Sequence, residues 1–172
     1  MSNLNQRLLM LRECSNVRRA HGIPYNGDYS VGKHSFDMLV LLLELWPDAS
    51  LDLIKAVMYH DFSERWVGDM PCVACWDDGA LDKAYKAAQV RLAEKHNVTP
   101  PELTSDDMFR LRFVDKLELW MWAHEQAKGF GNKNAARVID RLLPWFKAPS
   151  IWSYMPEEAK ALVNNFQWER TE

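Results

Sequence analysis

Apolar positions recur at three- and four-residue spacing along almost the whole chain, the repeat that gathers them on one face of a helix. "NLNQRLLMLREC" (3–14) carries the repeat through Leu and Met, and "KHSFDMLVLLLELW" (33–46) is a strongly apolar helix stopped by Pro47. "DASLDLIKAVMYHD" (48–61) sets Leu51, Ile54, Val57 and Met58 on an inward stripe, with Ser50 or Asp48 as its cap. A loop holding Gly68, Pro71 and "CWDDG" follows, then the helix-forming run "ALDKAYKAAQVRLAEKHN" (80–97). "SDDMFRLRFVDKLELWMWAHEQAKG" (105–129) predicts a long helix capped by Ser105 and stopped at Gly129, and shorter helices begin at Asn134 and Glu157. No strand alternation, hairpin signal or internal repeat competes with this reading. The expectation is an all-α fold with residues 1–172 as a single domain.

Composition narrows the function classes. A chain of 172 residues that is 48% hydrophobic can bury one core. Its 21 basic against 24 acidic residues leave a formal charge of -3, so no overall basic field attracts a nucleic acid polymer, although local cations could hold a small anion. The longest apolar run, "MLVLLLELW", is broken by Glu44 and falls short of the ~20 residues of a membrane span. The amino terminus has no secretory signal core, and three cysteines cannot all pair, which predicts a protein of the cytoplasm. Cys72 and Cys75 form a lone C-x-x-C without a second ligand pair, since His96 is distant, and read as partly buried thiols of a loop. Of eight tryptophans, Trp120, Trp122, Trp145, Trp152 and Trp168 read as core or subunit-contact anchors, which predicts a homo-oligomer. Trp66 is the tryptophan expected at a pocket.

The candidate chemistry lies in "VMYHDFSERWVGDMP" (57–71), where His60 and Asp61 adjoin and Glu64 and Asp69 follow. Neighbouring helical residues point about 100° apart, but at a helix end both can bend toward one ion. Imidazole nitrogen and carboxylate oxygen ligate divalent first-row metals, and His34 and Asp115 are candidates to complete the set. Singly, His34 reads better as a hydrogen-bonded core histidine and Asp115 as a surface acid paired with a cation. Together, in the order H, HD, D on three helices, they favour a metal site. Such a mixed set accepts zinc, cobalt, manganese or iron. A bound divalent ion lowers the pKa of water from ~15.7 toward ~7. Glu64, four residues after His60, would share its face as a general base if the helix continues; pairing with Arg65 is the alternative. Asp69 after Gly68 is also an ordinary turn residue. Arg18, Arg19, Lys33 and Lys116 adjoin these ligands and could stabilise phosphoryl charge. His21, His96 and His124 have no matching partners and read as structural or exposed.

Through "NVRRAH", "YSVGKHSFDMLVLLLEL", "AVMYHDFSERWVGDMP" and "FVDKLELW", roughly residues 16 to 122, the chain resembles the HD-domain metal phosphohydrolases. It is most similar to the small 5'-deoxynucleotidases and the phage-encoded deoxynucleoside triphosphohydrolases, the dATP-specific type included. The resemblance implies an HD-type helical bundle with one divalent metal on His34, His60, Asp61 and Asp115. It implies Glu64 and Asp69 around the attacking water or leaving oxygen, and Arg19 on the substrate phosphate. Lys33, Lys116 and Trp66 are the further expected substrate contacts. Three positions depart from those relatives: Ala20 replaces an aromatic that packs on the nucleoside, Lys33 precedes the first metal histidine, and "CVAC" lacks a lysine often found there. The expectation is hydrolysis of a deoxynucleoside triphosphate to nucleoside and triphosphate, in the host cytoplasm if phage-encoded. A 5'-deoxynucleotidase releasing phosphate from monophosphates is the alternative, and a non-catalytic nucleotide-binding or helical interaction protein is the rival class.

Overall fold

A computed structural model describes residues 2–98 and 100–166, without the side chains of Ser2, Asn3, Cys72 and Val73. Its elements are α1 (Ser2–Cys14), α2 (Val31–Leu45), α3 (Leu51–Tyr59), α4 (Glu64–Val67), α5 (Cys72–Asp77), α6 (Gly79–Lys95), α7 (Ser105–His124), α8 (Lys133–Lys147), α9 (Pro149–Trp152) and α10 (Glu157–Asn165). The fold is all-α; among the described residues the one extended pairing is an isolated antiparallel bridge between Arg18 and Ser30.

Helix α7 is the axis of the bundle, with α2, α3 and α8 packed around it. Met38 and Leu42 of α2, Leu53 and Val57 of α3, Phe113 and Leu117 of α7 and Phe146 of α8 are buried where they meet. Each such side chain contributes about 1.5–3 kcal/mol over leaving it in water. Trp120 and Trp122 are buried in this core, and Trp145 and Trp152 pack against it half-buried. Trp168 lies outside the described residues. No described helix is long and apolar enough to cross a membrane.

The helix ends differ from expectation at several places, each for a local reason. Ser50 accepts a hydrogen bond from the Leu53 N–H and caps α3. At α7 the cap is Thr104, which accepts from the Asp107 N–H at 3.1 Å, so the predicted cap Ser105 is the first helical residue. Helix α2 begins at Val31, ahead of the predicted start, because Ser30 caps it. The segment predicted as a loop around "CVACWD" is helix α5, so Cys75 is a half-buried helical thiol. Asp78 explains it: its N–H closes α5 on the Ala74 carbonyl at 3.0 Å, while its carboxylate caps α6 at the Ala80 and Leu81 N–H groups.

Residues 15–30 are irregular but pinned. Val31 N–H donates to the Val17 carbonyl at 2.9 Å, Arg19 N–H to Tyr29 at 2.8 Å and Gly32 N–H to Ser15 at 3.1 Å. Gly32 is required there, since an added Cβ would stand 2.7 Å from the Ser15 Cβ. Past His124, α7 widens into a π-helical turn (Glu125–Gly129) that presents the buried Gln126. That amide accepts from the Asn26 N–H at 2.9 Å and donates to the Asn26 carbonyl at 3.1 Å, tying the loop to the bundle. The loop therefore holds Arg19 and Ala20 in place over the α3–α7 face.

Candidate metal centre

Helix α3 does not run on to Glu64, the condition on which the sequence put that residue on the His60 face. It ends at Tyr59, and the chain turns with three-residue spacing, Phe62 N–H to the Tyr59 carbonyl at 3.1 Å and Glu64 N–H to the Asp61 carbonyl at 2.9 Å, before α4 begins. This tighter turn swings His60 and Asp61 toward the same point and returns Glu64 beside them. His34 reaches that point from the first turns of α2 and Asp115 from the middle of α7.

The distances define a cluster. Asp61 Oδ2 lies 3.0 Å from His60 Nε2 and 3.9 Å from His34 Nε2, and Asp115 Oδ1 lies 3.3 Å from His34 Nε2. One ligand atom each from His34, His60 and Asp61 falls within a mutual 4.8 Å, the spread that a single ion can bridge. The second nitrogen of each imidazole is already engaged: His60 Nδ1 lies 2.8 Å from the Val57 carbonyl, and His34 Nδ1 bonds the buried Glu118 carboxylate. Donation at Nδ1 fixes the tautomer that leaves a lone pair on Nε2. Both Nε2 atoms are buried without a hydrogen bond and face only carboxylate oxygens, an expensive meeting of lone pairs that a cation between them would relieve. The residues present therefore fit a divalent cation.

Charge in the cluster is divided unevenly. Burial alone would raise Asp61, yet His60 and Arg19 hold its carboxyl well below the usual range. Burial disfavours the charged form of His60, and Asp61 overcomes it and raises the imidazole. Asp115, about a third exposed, is opposed by its desolvation but is drawn down to about 2 by His34 and His60. Glu64 goes the other way: burial, then the Asp61 charge, push it up to about 10. Two neighbouring carboxyls with pKa values driven apart are an acid–base pair in waiting, and added positive charge would lower Glu64.

Arg19 is buried, with its guanidinium bonded to Asp61 and 3.9 Å from Glu64 Oε2. Asp69 Oδ2 accepts the Ala20 N–H at 2.8 Å, which fixes the backbone next to Arg19, and His21 Nδ1 lies 3.7 Å away. Tyr85 of α6 donates to the Gly68 carbonyl at 2.7 Å and lies 3.4 Å from Glu64 Oε1. Above the cluster opens a cavity of about 420 Å³, lined by Arg19, Asp61, Glu64, Asp69, Asp115 and Lys116 among others. Lys86 also lines it, bonded to Asp82.

Two expected substrate contacts lie elsewhere. Lys33 bonds Asp37 within α2 and lines a separate groove between α2 and α7, not the cavity. Trp66 stacks on His96 with centroids 4.1 Å apart and packs with Phe62 in a satellite core, so it is no wall of the cavity. Arg18 does not line the cavity either. The structure instead adds Glu118, Tyr29 and Tyr85, none of which stood out in the sequence. Glu118 was the findable one: three residues after Asp115, it shares that face of α7.

No protein-family model matches the chain, and no curated protein does. Solved structures do. The PH0347 protein from Pyrococcus horikoshii superposes with a TM-score of 0.66 at 20% identity, covering 92% of this chain and 95% of that one. A conserved hypothetical protein from Pyrococcus furiosus gives 0.58 at 18% identity, covering 92% of this chain and 96% of its own. At these identities the likeness is one of fold.

Proposed function

We propose that the chain is a metal-dependent phosphohydrolase that cleaves the 5' phosphoester of deoxynucleotides. One observation carries the reading: two buried imidazole nitrogens lie against Asp61 and Asp115, the carboxylates that line a cavity also lined by a buried arginine and a carboxyl fit for proton transfer. His34, His60, Asp61 and Asp115 would hold one divalent ion. When bound, that ion supplies Lewis-acid polarisation of the phosphoryl oxygen and acidifies water. Arg19, buried beside Asp61 and Glu64, would set positive charge against a phosphoryl oxygen, which provides charge stabilisation where it develops. Glu64, whose Oε2 has no hydrogen-bond partner, would take the proton of the attacking water. Asp69 would keep Arg19 aimed by holding the Ala20 N–H.

The triphosphate is the first substrate to try, with nucleoside and triphosphate as products. The position of Lys33 favours the monophosphate as a second reading, because that lysine belongs to an ion pair outside the cavity and Arg19 and Lys116 remain from the expected set. Incubation with each deoxynucleoside mono-, di- and triphosphate plus manganese, cobalt or zinc, followed by chromatography, tests both. Nucleoside and triphosphate support the first, inorganic phosphate from monophosphates alone the second. No hydrolysis of any of them by metal-loaded protein would overturn the reading.

A further inference from the structure

The groove between α2 and α7 that Lys33 lines is separate from the cavity above the cluster and, at about 420 Å³, falls in the range of about 300–1,000 Å³ typical of small-molecule sites. Its walls are apolar: Phe36 and Val40 on α2, Met121 and Trp122 on α7, and Phe166 beyond α10. Phe36 and Val40 are exposed, so one lip of the groove is apolar surface open to water. Its charge is one-sided. Lys33 is already paired with Asp37, whereas Glu118 and Glu125 have no lysine or arginine partner among the described residues. Burial works against the charge on Lys33, yet Asp37, then Glu118 and Glu125, outweigh it and raise its pKa.

The two glutamates have a definite spacing. They stand two helical turns apart, so both face the groove with ~10.5 Å of helix rise between them, and Met121 and Trp122 lie in the interval. Glu118 is buried, with Oε2 given to Tyr29 and His34 while Oε1 accepts no hydrogen bond among the described residues. A half-used carboxylate in an apolar wall favours a donor that the chain itself does not supply. Glu125 is half-buried and opens the π-helical turn, a distortion found often at functional sites.

We infer that the groove binds a linear aliphatic diamine, with one ammonium on Glu118, the other on Glu125 and the methylene chain along the apolar wall between them. Two cations at the spacing of two carboxylates satisfy both acids at once, which a single amine does not. The methylenes displace water from Val40, Met121 and Trp122. An anion does not fit, since it would meet two like charges. The site also reaches the metal centre, because Glu118 holds His34 from behind. An ammonium on Glu118 makes that carboxylate a poorer acceptor for His34 Nδ1 and adds positive charge beside a metal ligand. Amine and metal therefore oppose each other, by the same factor in either direction. Amine binding stands on the groove alone, whereas the coupling rests on the metal centre of the proposed phosphohydrolase reading.

Calorimetric titration of the metal-free full chain tests the site without any hydrolysis. The probes are the eight-carbon terminal diamine, the four-carbon diamine that is too short to reach both acids, octylamine with one ammonium, and the eight-carbon diol with none. The long diamine should bind at least ~10-fold more tightly than each of the others, as a second charged hydrogen bond would cause. Glu125→Gln, folded by thermal melting, should lose that advantage over octylamine while octylamine itself binds as before. Equal affinity for the long diamine and octylamine, no preference for the long diamine over the short, no binding of any probe, or full affinity in Glu125→Gln would overturn the inference. Saturating long diamine should weaken manganese binding by ~5-fold or more, read by competition against a chelator. Manganese affinity unmoved by the diamine would overturn the coupling. A wild type that takes up no manganese but still selects the long diamine would sink the metal centre, and the phosphohydrolase reading and the coupling with it, and leave the amine site standing.

Discussion

Replacing Glu118 by Gln should weaken metal binding by roughly 10- to 100-fold while the fold survives, although Glu118 does not line the cavity above the cluster. Its side chain is 5% exposed, and its Oε2 accepts from both the Tyr29 hydroxyl and His34 Nδ1. The second bond matters for the ion: it holds His34 with Nε2 as a lone-pair ligand and makes that nitrogen a better donor. Hydrogen bonds to a charged acceptor contribute about 1.5–3 kcal/mol and neutral ones about 0.5–1.5, so the amide forfeits about 1–2 kcal/mol at His34. Because a tenfold change in affinity is about 1.4 kcal/mol, that loss alone reaches the low end of the expected range. Glu118→Ala should do more damage of another kind, leaving two buried donors unsatisfied at about 1–3 kcal/mol each. Competition against a metallochromic chelator reads the affinity, and thermal melting of the metal-free proteins reads the fold. Metal affinity in Glu118→Gln within twofold of wild type would refute the claim that this carboxylate sets the tautomer of His34.

Glu64→Gln should keep the metal and lose turnover by ~10²-fold or more, as expected for removal of a general base; near-normal single-turnover rates with an unchanged pH profile would take Glu64 out of the mechanism. Gly32→Ala should destabilise the protein by about 1–3 kcal/mol, since its Cβ would stand 2.7 Å from the Ser15 Cβ and 3.1 Å from the Ser15 carbonyl oxygen. An unchanged denaturation midpoint would show that the loop before α2 yields freely.

The architecture was legible because buried helices write their period into the chain. Leu53 and Val57, or Phe113 and Leu117, recur at the spacing that an inward face demands, and all four are fully buried. The meeting of His34, His60, Asp61 and Asp115 was legible for a related reason, since polar residues on otherwise apolar helix faces, as with His34 and Asp115, need a partner that burial does not supply. Sequence adjacency misled where side-chain direction was the issue. Trp66 is two residues past Glu64 in α4, which turns it to the opposite side and onto His96. Lys33 neighbours His34 but is rotated about 100° away, into reach of Asp37. Helix α5 escaped notice because its boundaries are set by Pro71 and by the double use of Asp78, not by an apolar repeat.

The metal content of the protein decides whether His34, His60, Asp61 and Asp115 form a metal site. Elemental analysis of the wild type after equilibration with manganese or zinc and gel filtration should return one equivalent per chain. His60→Gln and Asp61→Asn, both folded by circular dichroism, should each return far less. Wild-type protein that retains no metal, or variants that retain as much as the wild type, would contradict it.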